Sequence, residues 1–183
     1  MLSLSQITQI EEADALGAKT LGVALDQLML RWDSGLTDDE TFIRVLFLKW
    51  YSLCEPNWYN GLPDSQEISI ENFIEGKGKL SSFQLEHQFI IGVLANSFPW
   101  CFGDEEKWKN ISQELLSETQ RLGASSPVFS NSKYLLGQAK EVNGLRKNIF
   151  PELRARFYGR GEMGRYLLHI LGNENDLIQG VSQ

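Results

Sequence analysis

The sequence predicts an all-α fold, a single compact domain of six to eight helices built around a central apolar helix at about 38–54. Three observations carry that expectation. Apolar residues recur mostly at three- and four-residue spacings. Helix boundaries are marked by capping side chains, Gly and Pro. Finally, 42% of the 183 residues are hydrophobic, enough for a core that requires neither disulfides nor a structural metal.

Ile7, Ile10, Leu16, Leu21, Leu25 and Leu28 place one or two helices between Ser5 and about Arg31, with Gly17 and Gly22 as soft points. Gly35 closes that region. In Thr37-Asp38-Asp39-Glu40 a hydroxyl and a carboxylate stand at capping-box spacing, able to satisfy backbone donors of a first turn. The helix opened there runs through Phe42, Ile43, Leu46, Phe47, Trp50 and Leu53, apolar over so much of its circumference that it belongs at the centre of the core. Glu55-Pro56-Asn57 ends it, and Trp58 to Asp64, with Asn60-Gly61 and Pro63, reads as a loop. Gln66 to Glu75 fits two periods. Ile68 and Ile70 alternate as in a strand, whereas Ile70, Phe73 and Ile74 suit a short helix, which is the reading adopted.

Ser81-Ser82-Phe83-Gln84 offers a second capping box, ahead of a helix through Phe89, Ile90, Val93 and Leu94 that stops before Pro99. Asp104 caps an amphipathic helix from about Glu105 to Leu122, with Trp108, Ile111, Leu115 and Leu122 on its stripe and Gly123 beyond its end. Ala124 to Asn131 is the most linker-like stretch and a soft boundary near 124–131. The roughly 50 residues beyond it are few for a second unit, so 1–183 is taken as one helical domain. Tyr134 to Val142, Pro151 to Tyr158 and Gly161 to Leu171 complete the set as three shorter helices, with Pro151 at a first helical position and Gly172 at a C-terminal cap.

Composition narrows the setting. The opening residues carry Glu11, Glu12 and Asp14 ahead of any Lys, unlike the basic and then apolar opening of an export signal. No apolar run approaches the ~20 residues of a membrane span. Cys54 and Cys101 could form one bridge at most and show no disulfide framework. The chain therefore reads as a cytoplasmic protein with free thiols and no membrane association. Its net charge of −7 disfavours nucleic acid and anionic surfaces and suits a basic partner.

That charge is unevenly distributed. Between Lys133 and His169, eight basic residues (Lys133, Lys140, Arg146, Lys147, Arg154, Arg156, Arg160, Arg165) face three acids (Glu141, Glu152, Glu162), a local +5 that leaves −12 for the rest. Arginines interleaved with Phe157, Tyr158 and Tyr166 could hold a phosphate or carboxylate bidentately; equally, they could clamp the acidic N-terminal helices from outside. Gly159-Arg160-Gly161-Glu162-Met163-Gly164 spells a dinucleotide fingerprint, but the second strand and ribose-binding acid of that motif have no room before Gln183. A tight turn between helices is the simpler reading, with Gly159 at positive φ and Gly164 at a close approach. In a weaker version, backbone donors at the helix start beside Arg160 would receive an anion.

His169 follows Tyr166 by three residues and Glu162 by seven, so the three share one helical face and could move a proton. Neither a zinc pattern, a P-loop nor a serine elbow occurs, and no metal or cofactor is expected. Trp58 and Tyr59, in the turn-rich loop, are candidates for a protein interface, or for a lid folded onto the core. The acidic groups Glu11-Glu12-Asp14, Asp38-Asp39-Glu40 and Asp104-Glu105-Glu106 read as helix-terminal charges and solubilising faces.

Two functions follow. The leading expectation is a non-catalytic interaction module: an acidic helical protein binding a basic protein partner, as an adaptor or a toxin-neutralising, immunity-type protein does, with homodimerisation open. The alternative is an anion-binding protein or enzyme acting on a phosphorylated or carboxylated small molecule. Arg154, Arg156, Arg160 and Arg165 would be its clamps, and His169 with Glu162 its acid and base. The two differ in geometry, because a ligand site needs those side chains to converge on one concavity.

Overall fold

Caps and breakers set the boundaries of the helices. The structure, a computed structural model, describes residues 1–55, 57–63, 69–132 and 142–172. Among them the regular structure is helical, without strands: α1 (Leu4–Asp14), α2 (Leu21–Asp33), α3 (Asp39–Cys54), α4 (Asn57–Asn60), α5 (Ile70–Lys77), α6 (Leu85–Ser97), α7 (Glu105–Leu122), α8 (Pro127–Ser130), α9 (Val142–Phe157) and α10 (Gly161–Leu171). Short 3-10 turns at Leu80–Ser82 and Pro99–Cys101 precede α6 and α7. The fold is all-α, and eight of its helices have eight residues or more.

Ser3 and Gln6 form a reciprocal capping box on α1, and the chain breaks between α1 and α2 where Gly17 turns at φ +86°. α3 starts one residue later than the sequence reading has it. Asp38, not Thr37, is the cap: its Oδ1 accepts from the Thr41 N–H at 2.9 Å, a charge-assisted bond that a Thr hydroxyl would not match. Nor do Ser81 and Ser82 cap α6. They lie inside the preceding 3-10 turn, and Gln84 occupies the cap position without a side-chain bond. Asp104 caps α7 as expected, accepting from the Lys107 N–H at 2.7 Å.

α3 is the hub. Every residue from Thr41 to Trp50 is buried, and α2, α5, α6 and α10 pack around it. α6 runs along α7 at close range because Gly92 leaves room. A Cβ there would stand 3.1 Å from Leu116, and its carbonyl accepts from Ser112 Oγ at 2.9 Å.

The stretch near 124–131 is not a loose connector. Ser126 caps α8, and Val128 and Phe129 enter the same apolar cluster as α3 and α6. The segment 57–60 is a helical turn, not irregular loop. Pro151 lies within α9, which begins at Val142: the ring removes one backbone donor, but Ile149, Leu153 and Phe157 are fully buried on either side and hold the helix together. The helix expected over Tyr134 to Val142 falls almost wholly outside the described residues, as do Gln66 to Ile68, Lys133 and Lys140.

Candidate functional site

The glycine-rich segment is the turn that seats α10 against α1 and α3. Gly159 (φ +77°) and Gly161 (φ +62°) both adopt left-handed backbone, and a Cβ on Gly161 would lie 1.6 Å from Glu11 Oε2. That carboxylate fills the space. It accepts from the Glu162 backbone N–H at 2.6 Å and from Arg44 Nη2 at 2.6 Å, with Glu11 and Arg44 only 1% and 2% exposed. The anion drawn to the first turn of α10 is therefore a side chain of α1, so Glu11 is not a solubilising charge. Burial pushes its carboxyl above the usual range, against the lowering effect of Arg44 and the Glu162 amide.

The four candidate arginines divide into two pairs. Arg156 near the end of α9 and Arg160 in the turn before α10 face the body of the protein. Arg156 bridges Glu152 at 2.7 Å and Glu86 at 3.2 Å, while Arg160 reaches both Glu86 and Glu40. Glu152 in turn accepts from Ser126 Oγ and the Val128 N–H, fastening α8 to α9. This pair ties α9 and the turn after it to the starts of α3 and α6.

Arg154 and Arg165 face the other way, into a cavity of about 740 Å³ between α1, α3, α9 and α10. Phe150, Phe157, Leu168 and the rings of Tyr51, Tyr158 and Tyr166 make its apolar walls, and Glu11, Glu12, Glu162 and His169 are among the polar residues that line it. Tyr166 is wedged between Trp50 and Tyr51, edge-on to both, with ring centroids 5.3 and 6.0 Å away. The Arg154 guanidinium lies over the Tyr158 ring, 5.2 Å from its centroid, and Arg165 pairs with Glu162 one turn back.

Burial dominates the protonation of this wall. The Glu162 carboxyl is pushed up to about 7, mostly by loss of solvent and further by Asp14 and Glu11, while Arg165 opposes the shift. The Tyr51 and Tyr166 hydroxyls are pushed up by the same cause, Tyr166 to about 12, so both are donors at neutral pH.

Arg154, Arg165, Glu162 and His169 thus meet at one concavity, and Arg156 and Arg160 do not. Trp58 and Tyr59 lie elsewhere. They are 71% and 63% exposed, edge-to-face with centroids 6.1 Å apart, on a turn pinned by buried Asn60 and Leu62, and they form no lid. The sequence reading missed Glu11, Arg44 and Tyr51. One signal was available: Glu11 stands one turn after Ile7, and Arg44 interrupts the apolar run of α3, an acid and a base on two stripes that otherwise belong to the core. No three His, Cys, Asp or Glu side chains among the described residues group as metal ligands would, and no described helix is long and apolar enough to cross a membrane. The chain matches no family model, no curated protein and no solved structure.

Proposed function

We propose that this protein binds a small amphipathic anion, an apolar or aromatic body carrying one carboxylate or phosphate, in the cavity between α1, α3, α9 and α10. The observation that carries this reading is the convergence of Arg154, Arg165 and His169 on a cavity of about 740 Å³ that five aromatic rings also line, with Glu11 of its three glutamates already paired to Arg44 and Glu162 to Arg165. Ligand sites typically enclose about 300–1,000 Å³, mostly apolar, with a few polar groups that fix orientation. Arg154 supplies a cation already stacked on Tyr158, and a guanidinium fork matches either anion in two parallel hydrogen bonds. The apolar walls would bury the body of the ligand.

The test is a melting-temperature screen of short fatty acids, aryl carboxylates and aryl phosphates, each beside its neutral alcohol or amide. A ligand that binds only the folded state raises the melting temperature. The expected result is a shift with charged members and not with their neutral counterparts. Arg154→Gln or Arg165→Gln should then weaken affinity about 10- to 100-fold, the loss of a charged hydrogen bond, with Arg121→Gln, exposed on α7 and outside the cavity lining, as control. No shift with any anion, or a shift indifferent to both variants, would overturn the reading.

A second reading, attachment to a basic protein partner in a cytoplasmic setting, is favoured by a different observation. Trp58 and Tyr59 are large aromatics held out from a pinned turn, and rigid aromatics of this kind anchor interfaces on chains whose net charge steers the encounter.

A further inference from the structure

The two cysteines, 47 positions apart in sequence, meet in the fold. Cys54 is the last residue of α3, and Cys101 closes the 3-10 turn that carries the chain from α6 to α7. Their sulfurs are 3.5 Å apart, both thiols are free, and one donates to the other. We propose that Cys54 and Cys101 form a reversible oxidation site, a dithiol that peroxides or small disulfides convert to an intramolecular cystine bonding the end of α3 to the α6–α7 junction.

Geometry supplies the argument. A disulfide has its sulfurs about 2.05 Å apart, so closure requires an approach of about 1.5 Å. Both cysteines terminate a helical element, where a small rotation of the side chain and last peptide disturbs few backbone bonds. Cys54 is partly exposed, whereas Cys101 is 6% exposed and belongs to the apolar core, so a small oxidant reaches Cys54 first. The shared hydrogen bond and burial push the Cys54 thiol above its ordinary range, so its thiolate is scarce at neutral pH and its attack on an oxidant is slow.

With a hydroperoxide, the Cys54 thiolate attacks the O–O bond and becomes a sulfenic acid as an alcohol or water departs. Cys101 then attacks the Cys54 sulfur, its proton leaving with the hydroxyl as water. Two thiols and one peroxide give one cystine and the reduced peroxide, one electron having been withdrawn from each sulfur. A dithiol reductant reverses the change by exchange.

The experiment is intact-mass analysis of the full chain, native and then denatured for thiol titration, after hydrogen peroxide or diamide and again after dithiothreitol. The expected result is loss of two hydrogens, disappearance of both titratable thiols, a cross-linked pair of peptides containing Cys54 and Cys101, and full recovery on reduction. Because the bond would close a 47-residue separation, the oxidised protein should also melt about 5–10 °C higher. Cys54→Ser should abolish the cross-link. Addition of oxygen atoms to Cys54 with Cys101 still titratable, cross-links between chains, or two intact thiols after both oxidants would each overturn the proposal, and the wild-type readout needs no variant to fold.

Discussion

Glu162 gives the sharpest test of how the cavity wall is built, because its carboxyl is harder to ionise in the fold than out of it. Folding moves it from 4.5 to about 7, mainly through burial, with Glu11 and Asp14 adding repulsion from α1 and Arg165 pulling the other way. Arg44 of α3 acts through Glu11, and Tyr51 of α3 faces the same charge. Between those pH values the folded chain holds a proton that the unfolded chain has released. Stability therefore falls as pH rises from about 4.5 through about 7, and the contribution is complete only below that interval. One pH unit of displacement corresponds to about 1.4 kcal/mol, so ionising Glu162 costs the fold about 3 kcal/mol by pH 8. Glu162→Gln keeps the shape of the side chain and removes the titration. Urea unfolding of both proteins from pH 4.5 to 8 should give a difference that grows in favour of Glu162→Gln by about 3 kcal/mol, most steeply between pH 5 and 7. Subtraction cancels Asp38 and Glu152, whose carboxyls are held below the usual range and whose contributions are lost towards acid pH in both proteins. A difference that stays flat, or that grows towards acid pH, would refute the claim that burial rather than Arg165 governs this carboxyl.

Glu11→Leu should destabilise the protein by about 3–5 kcal/mol in the same assay, because it leaves the Arg44 guanidinium buried without its carboxylate; adding Arg44→Met should restore much of the loss. If the two substitutions are simply additive, the pair is not the coupled unit that the geometry describes. Trp58→Ala with Tyr59→Ala should change stability by less than about 1 kcal/mol, since both rings are exposed, and should leave any anion-induced melting shift intact. Loss of that shift in the double variant would place the aromatic pair, not the α9–α10 cavity, at the ligand.

The helices were legible where local signals are strong. Asp104 marks the start of α7, the apolar run from Phe42 to Leu53 identifies α3, and the Gly159–Gly164 segment reads as a turn, each because caps, stripes and glycines act within a few residues. Boundaries failed where two neighbours compete for one role. Thr37 and Asp38 both offer oxygen at the start of α3, and the carboxylate took it. Pro151 suited a helix start by its own chemistry, but the buried side chains before and after it carried the helix through. The site was half legible. Spacing along α10 puts Glu162, Tyr166 and His169 on one face, yet nothing local sends Arg154 to the cavity and Arg156 to Glu86. That division depends on which way α9 is rolled, set by Leu153 and Phe157 in the core. Glu11 was misread for the same reason: the pattern of α1 alone cannot show that the first turn of α10, 151 residues on, supplies a backbone donor to it.

The charge of the whole chain bears less on the cavity than its own few groups do. At physiological ionic strength an exposed charge is largely screened beyond about 8 Å, so the acids on distant faces of this −7 protein do little to repel a ligand that has reached α9 and α10. What counts is the local balance. Arg44, Arg154 and Arg165 stand against Glu11, Glu12, Asp14 and Glu162, and Glu11 is already committed to Arg44. With Glu162 ionised, Arg165 has a partner and the seven groups sum to −1. With Glu162 protonated, Arg165 is released and the sum rises to zero. An incoming carboxylate or phosphate and the proton on Glu162 thus favour one another, since each removes a reason for the other to be absent. The same linkage that makes the folded protein less stable above neutrality would make its cavity a better site for the proposed anion below it, and both effects run through one side chain.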